Sequence, residues 1–342
     1  MNSTFFDKED LQYCFENMNE SCYKTPLSSG LRVTLYIVLG LLTILTVAGN
    51  LLVIISIAYF KQLHSPTNFL IASLACADFG LGLTVLPFRT VRSVETCWYF
   101  GETFCRFNSC LNVSFCLASV FHLCFISVDR YVAVTDPLIY PVKFTVPVSG
   151  VFIGVAWTFS LVYSVYVVFI GANEEGLQEL VNALSCEGGC QIMLNKMQVV
   201  VSSLLYFIPF FTVIALYSKI LAVAKRQARM IEMMSNNTQS SDNYSDRVGR
   251  RERKAAKTLG IPVIAFLVFW LPFFITVIIN AFLNFIIPPL VFDIVAWFAY
   301  SNSAINPLIY SLFYPWFRKA MKVIVSCKIL RLDCSTMSLF SE

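Results

Sequence analysis

Ionisable side chains are scarce in this 342-residue chain: charged residues make up 13% of it and histidines number two, while 57% is hydrophobic. A soluble domain carries about 25% charged residues, so a water-exposed globular fold is excluded and an integral membrane protein is indicated. His64 and His122 stand alone, which argues strongly against a metal-dependent enzyme; a single histidine within a helix is ordinarily a hydrogen-bonded packing residue. There is no Gly-rich phosphate loop, no internal repeat and no pair of inverted halves with broken helices, so a transporter plan finds no support, and no rings of charge suggest a channel. The start, "MNSTFFDKEDLQYC", has no basic segment followed by an apolar core, so no cleavable signal peptide is expected.

What the chain does have is apolar length. Segments at 33–59, 68–92, 101–134, 146–170, 197–223, 257–283 and 289–313 each suffice to cross about 30 Å of hydrocarbon as a helix. Backbone polar groups must be satisfied within the bilayer, so the expected fold is an all-α bundle of seven transmembrane helices followed by a short amphipathic helix. The segment 101–134 exceeds a plain crossing and must tilt or protrude. The expected divisions are an outer N-terminus at 1–32, the seven-helix domain at 33–313, and an inner helix and tail at 314–342. Basic residues set the orientation. Lys219, Lys225, Arg226, Arg229, Arg247, Arg250, Arg251, Arg253, Lys254 and Lys257 crowd one inter-helix segment, against Lys8, Lys24 and Arg32 before the first crossing. The N-terminus is therefore expected outside the plasma membrane and the tail inside, and the net charge of +4 reflects this topology rather than a nucleic-acid partner. Of the sequons, Asn2 and Asn19 fall outside and suit glycans; Asn236 and Asn243 fall inside, and Asn112 falls within a helix and is not a sugar site. Cys14, Cys22, Cys97, Cys105, Cys186 and Cys190 lie on the oxidising side, where pairing is possible, while Cys327 and Cys334 beyond the last helix suit palmitoylation.

Polar groups inside the bilayer are costly and mark function. Around Asp78 the helices offer Asn50, Ser119, Asn302, Ser303 and Asn306, oxygen-bearing side chains that suit either a polar packing network or a bound sodium ion. Pro87, Pro209, Pro262, Pro272 and Pro307 fall inside crossings, where each frees a carbonyl. "FWLP" at 269–272 and "NPLIY" at 306–310 set Trp, Asn and Tyr beside such points, a pattern suited to two arrangements rather than a rigid pore.

Asn50 in "GNLLV", "SLACAD" ending at Asp78, Cys105, "DRY" at 129–131, Trp157, Pro209, "FWLP" and "NPLIY" together resemble the rhodopsin-like G-protein-coupled receptors along the whole membrane region. "YFKQLHSPTNFLIASLACAD" from Tyr59, "CWYFG" at 97–101, "FHLCFISVDRY" at 121–131, "RKAAKTLGI" at 253–261 and "FYPWFRKA" at 313–320 narrow the resemblance to the trace amine-associated receptors, in the mammalian subgroup six to nine. The resemblance implies a receptor, not an enzyme, that binds a small-molecule amine and signals through a stimulatory, olfactory-type heterotrimeric G protein to cyclic AMP. It implies disulfides Cys105–Cys190 and Cys22–Cys186, each worth about 2–4 kcal/mol, and leaves Cys14 and Cys97 unassigned. It places a switch at Asp129, Arg130, Tyr131, Tyr217, Asn306, Pro307 and Tyr310. It also puts a sodium ion at Asp78, Ser119, Asn302, Ser303 and Asn306. The ligand cavity would be lined by Val113, Cys116, Val201, Ser202, Trp270, Phe273, Phe274, Trp297 and Tyr300.

At several positions the chain departs from the pattern of the family it resembles. Asn112 lies eighteen residues before Arg130, five helical turns or about 27 Å, so both share one face; the relatives carry there an aspartate that pairs with the ligand ammonium. Losing a buried charge partner costs about 2–5 kcal/mol, or roughly 30- to 4000-fold in affinity. Arg89, three turns past Asp78, replaces a small polar residue; a like charge 8 Å from a cation costs about 2 kcal/mol at an effective dielectric of about 20. Thr276 and Asn280 likewise stand where some relatives place acids. Altered amine recognition follows, with a neutral or acidic ligand held by Arg89, or loss of response, as the alternative. Aromatic faces can still hold a cation weakly, and Arg89 can instead snorkel outward or pair with Glu95, Glu102 or Asp293 while Asn112 merely packs. Pro262, in the inner half of the sixth crossing, departs again and bears on the hinge.

Overall fold

The computed structural model describes residues 12–18, 20–172, 174–190, 192–235, 261, 264–283, 286–313 and 315–326. Asn2, Asn19, Asn236, Asn243, Pro262, Cys327 and Cys334 lie outside them. The described residues begin with a two-residue antiparallel pair, β1 (Gln12–Tyr13) and β2 (Tyr23–Lys24), in register Gln12 with Lys24 and Tyr13 with Tyr23. The bundle follows as α1 (Ser29–Tyr59), α2 (Pro66–Thr84), α3 (Leu86–Glu95), α4 (Glu102–Thr135), α5 (Tyr140–Lys143) and α6 (Val146–Val168). Then come α7 (Gln178–Leu184), α8 (Lys196–Ser235), α9 (Ile264–Phe282), α10 (Pro289–Phe313) and α11 (Pro315–Val325).

Among the described residues, α1, α2, α4, α6, α8 and α9 are long and apolar enough to cross a membrane. The seventh expected crossing, α10, has 25 residues, but Asn302, Ser303 and Asn306 dilute its apolar character and are buried against the bundle. The packing is the reverse of a soluble core. Ile44, Val151, Ile208 and Ile264 are more than 60% exposed, whereas Asn50, Asp78, His122 and Asp129 are wholly buried. Only a solvent of hydrocarbon makes that arrangement favourable. His122 donates Nδ1–H to the Ala118 carbonyl at 2.7 Å, a bond within its own helix turn.

Local chemistry sets the helix limits. Ser28 Oγ accepts from Leu31 N, and Ser65 Oγ from Asn68 N with Pro66 in the first turn, so α1 and α2 start on side-chain caps. Pro87 cannot donate to the Leu83 carbonyl and crowds it, so the second crossing breaks at Val85 into α2 and α3. Gly49 lets α1 and α10 meet: a Cβ there would lie 2.9 Å from Pro307 Cβ. On α11, Trp316, Phe317, Ala320 and Val323 are buried against Val53, Ile57, Phe60 and Leu63, while Arg318 caps α10 by donating to the Ser311 and Leu312 carbonyls.

The outer end is stapled. Cys105 joins Cys190 and Cys22 joins Cys186, and a third bridge links Cys14 to Cys97, the pair that sequence reading left unassigned. Backbone bonds from Cys22 N to Glu187 O and from Trp98 N to Gly188 O press the N-terminal segment and the α3–α4 connection onto the loop before α8. The Cys14–Cys97 bridge closes 83 residues. Replacing both cysteines by serine is expected to cost about 2–4 kcal/mol, seen as a lower thermal midpoint of the purified chain with unchanged helical circular dichroism; an unchanged midpoint would count against a stabilising bridge.

Glu95, at the end of α3 and beyond the span 68–92, ties the same region to α1. Its carboxylate accepts from Arg32, from Tyr36 Oη at 2.8 Å and from Lys24 Nζ at 3.3 Å. Burial alone pushes the Glu95 carboxyl up, but hydrogen bonds from Arg32, Tyr36 and Lys24 outweigh it and hold the pKa below the ordinary 4.5. A depressed folded pKa means the stabilisation is present above the unfolded value and is lost as pH falls below about 4.5. The acid slope of the thermal midpoint is expected to flatten in Glu95→Gln; an identical slope would remove Glu95 from the account.

Candidate functional site

The predicted ligand site lies where α3, α4 and α10 converge. Tyr300, on α10, is its hub: it is buried, its ring meets Trp297 edge-on at 5.7 Å, and its hydroxyl faces the Asn112 amide, with Arg89, Arg92 and Cys116 as electrostatic neighbours. Trp297 Nε1 donates to Ser93 Oγ at 2.9 Å, fastening α10 to α3. Cys116 Sγ, one turn along α4, donates to Asn112 Oδ1 at 3.6 Å.

Two outward alternatives for Arg89 are closed. Glu95 is committed to Arg32, Tyr36 and Lys24, and Glu102 pairs with Arg106 at 2.8 Å. Asp293 is an electrostatic neighbour of Arg92. Arg92 and Ser93 escaped sequence reading, although Arg92 is one helical turn from Arg89 and so was within reach of the same face argument.

Beyond Cys116 the cavity becomes aromatic. Trp270, Phe273 and Phe274 pack with Tyr206, whose ring stacks on Phe274 at 4.0 Å. Ser202 Oγ lies 2.9 Å from Tyr163 Oη, coupling α8 to α6. Cys116 touches both this cluster and the Trp297–Tyr300 cluster, whereas Val113 and Val201 are half-buried and stand outside both. Thr276 and Asn280 have structural partners: Thr276 Oγ1 donates to the Pro272 carbonyl, and Asn280 Oδ1 accepts from Ile287 N. A separate cavity of about 590 Å³ at the outer end of α4, between Phe100, Phe104, Phe107 and Phe169, includes none of the predicted ligand residues.

Deeper in the bundle, Asp78 accepts from Ser119 Oγ at 3.0 Å, Ser303 Oγ at 2.7 Å and Asn306 Nδ2 at 2.8 Å. Four of the residues that sequence reading grouped are thus together. Asn50 is one step removed, donating to the Ser303 and Thr46 carbonyls, and Asn302 makes no bond to Asp78. All the donors to Asp78 are neutral, and Asn50 Oδ1 and Asn306 Oδ1 are buried oxygens without a hydrogen-bond partner.

At the inner end Asp129, fully buried, holds Arg130: Arg130 Nε donates to Oδ2 at 2.7 Å. Thr67 Oγ1 donates to the same oxygen at 2.7 Å and Tyr140 Oη to Oδ1 at 2.9 Å, while Arg130 Nη2 reaches both Thr67 and Tyr140. Thr67 and Tyr140 complete a clasp that "DRY" does not announce, because they come from α2 and α5. Tyr131 lies under Lys219 Nζ at 6.0 Å, Tyr217 packs with Val213, Cys124 and Leu267, and Tyr310 packs near Phe317. Asn306 and Pro307 sit between the Asp78 cluster and Gly49.

A buried aspartate, an aromatic cluster and an arginine clasp thus lie along one bundle. Residues 49–310 match the 7 transmembrane receptor (rhodopsin family) model. Over the full chain the sequence is 59% identical to trace amine-associated receptor 9 of Homo sapiens, covering 99% of that protein. It is 57% identical to trace amine-associated receptor 7a of Mus musculus over the full chain and 96% of that protein. It is 58% identical to trace amine-associated receptor 6 of Homo sapiens over 97% of this chain and 96% of that one. The chain therefore belongs to the rhodopsin family of seven-transmembrane receptors, and within it to the trace amine-associated receptors.

Proposed function

We propose that this receptor sits in the plasma membrane with its N-terminus outside, couples to a stimulatory heterotrimeric G protein, raises cyclic AMP, and recognises amines weakly. The observation that carries the last point is the cavity around Tyr300. Where the family pattern has an aspartate this chain has Asn112, its Oδ1 engaged by Cys116, and the charges that neighbour Tyr300 are the cations of Arg89 and Arg92. An ammonium entering there loses its counter-ion and meets like charge. The test is cyclic AMP in cells at confirmed surface level, across amines of graded size and matched neutral compounds. Weak or absent amine responses are expected, and amine potency equal to that of aspartate-bearing relatives would overturn the reading.

The Asp78 cluster supports a bound sodium ion as an allosteric cofactor. A buried carboxylate with only neutral donors lacks charge compensation, and hard oxygen ligands from Ser119, Ser303 and Asn306 suit a small cation. Sodium is expected to raise the thermal midpoint of the ligand-free receptor above that in equimolar potassium. Asp78→Asn is expected to abolish the difference; equal effects of the two salts on the unmodified chain would remove the site.

A further inference from the structure

We infer that the convergence of α3, α4 and α10 is a carboxylate-binding site, in which Arg89 and Arg92 hold the anionic head of a small molecule whose apolar body lies toward Cys116, Trp270 and Phe274. The inference rests on the reading that ligands enter this cavity.

Arg89 and Arg92 are one turn apart on α3, both half-buried, and among the described residues neither guanidinium makes an ion pair or a side-chain hydrogen bond. The carboxylates that could neutralise them are occupied or distant. Glu95 is taken by Arg32, Tyr36 and Lys24, and Glu102 by Arg106, while Asp78, an electrostatic neighbour of Cys116, forms no ion pair with either arginine. Asp293 is near Arg92 but forms no ion pair with it. Around Arg92 and Tyr300 two cations therefore share one nearby acid, and that side of the site keeps net positive charge. Like charges one helical turn apart repel in a partly desolvated site, and an anion placed between them relieves both.

The neutral groups point the same way. Asn112 Oδ1 accepts from Cys116, which turns its amide N–H groups toward Tyr300. The Tyr300 hydroxyl, its oxygen facing that amide, keeps its own proton to donate. Ser93 Oγ accepts from Trp297, leaving its hydroxyl proton to donate as well. The side of the cavity that α3, α4 and α10 form thus offers two guanidinium forks and several N–H or O–H donors. A planar carboxylate matches the guanidinium fork in two parallel hydrogen bonds. An ammonium has nothing but donors and would find few acceptors.

Binding is measured directly so that the result does not depend on G-protein coupling. Thermal midpoints of the purified full-length receptor in lipid nanodiscs are recorded with aliphatic and aryl carboxylates, each beside the amine and the alcohol of the same carbon skeleton. Carboxylates are expected to raise the midpoint in a saturable way, with the matched amines and alcohols weaker by about tenfold or more. Arg89→Gln and Arg92→Gln should each weaken carboxylate binding by about tenfold or more, while Arg89→Lys, which keeps the charge and controls for folding, should retain part of it. The proposal is overturned if no carboxylate shifts the midpoint up to about 10 mM, if alcohols match the acids, or if both glutamine variants bind as the unmodified chain does. Carboxylates that bind without raising cyclic AMP leave the anion site standing and refute the coupling. An amine that raises cyclic AMP strongly refutes the recognition reading instead.

Discussion

Asn112→Asp is expected to make this receptor answer amines with about 30- to 4000-fold higher potency than the unmodified chain, read as cyclic AMP at matched surface level. The range is the worth of a buried ammonium–carboxylate pair, about 2–5 kcal/mol. The position suits the change: residue 112 faces Tyr300 and bonds to Cys116 on the inner face of α4, so a carboxylate there sits in the cavity without repacking. Arg89 and Arg92 work against the full gain, because the new carboxylate can pair with them instead of with ligand. Asn112→Asp with Arg89→Ser is therefore expected to exceed Asn112→Asp alone. If neither variant gains amine potency while both reach the surface and signal, the amine contact lies elsewhere in the aromatic cluster around Trp270.

Asp129→Asn is expected to raise ligand-free signalling. Asp129 is wholly buried and accepts from Arg130, Thr67 and Tyr140, so its charge holds three elements together: α2, α4 and α5. Removing one partner of a buried pair costs about 3–5 kcal/mol, more than a 100-fold shift in a two-state equilibrium. A receptor active about one per cent of the time would become mostly active. Tyr140→Phe removes a single hydrogen bond to the carboxylate, worth about 1.5–3 kcal/mol, and is expected to give a smaller rise in the same direction. Ligand-free cyclic AMP per surface receptor checks both, and a silent Asp129→Asn that still reaches the surface would show that the clasp does not restrain activation.

Features that depend on one stretch of chain were open to sequence reading. Hydrocarbon thickness and the need to satisfy backbone groups translate apolar length into crossings, and the 3.6-residue period turns Asn112 toward the same side as Arg130. Pro87 and Pro66 announce a break and a start through what proline cannot do. The same period would have revealed Arg92 beside Arg89. Contacts between distant segments had no such signal. Cys14 and Cys97 could have paired with any outer cysteine until folding brought them together. Tyr140 joins the Asp129 clasp from a four-residue helix that no periodicity marks.

The split has a physical basis. Composition and local spacing suffice for a membrane bundle with its polar groups turned inward, because the bilayer penalises every other arrangement residue by residue. Which polar groups meet depends on chain segments far apart: Ser119 and Asn306 reach Asp78 from 41 and 228 residues away. The same convergence leaves Asn302 out of that cluster and Glu95 on Arg32 rather than Arg89. Residue types could name the candidates around Asp78 and Arg89. The packing of α1, α3 and α10 assigned the partners, because a hydrogen bond forms or fails over a few tenths of an ångström, a distance no spacing along the chain encodes.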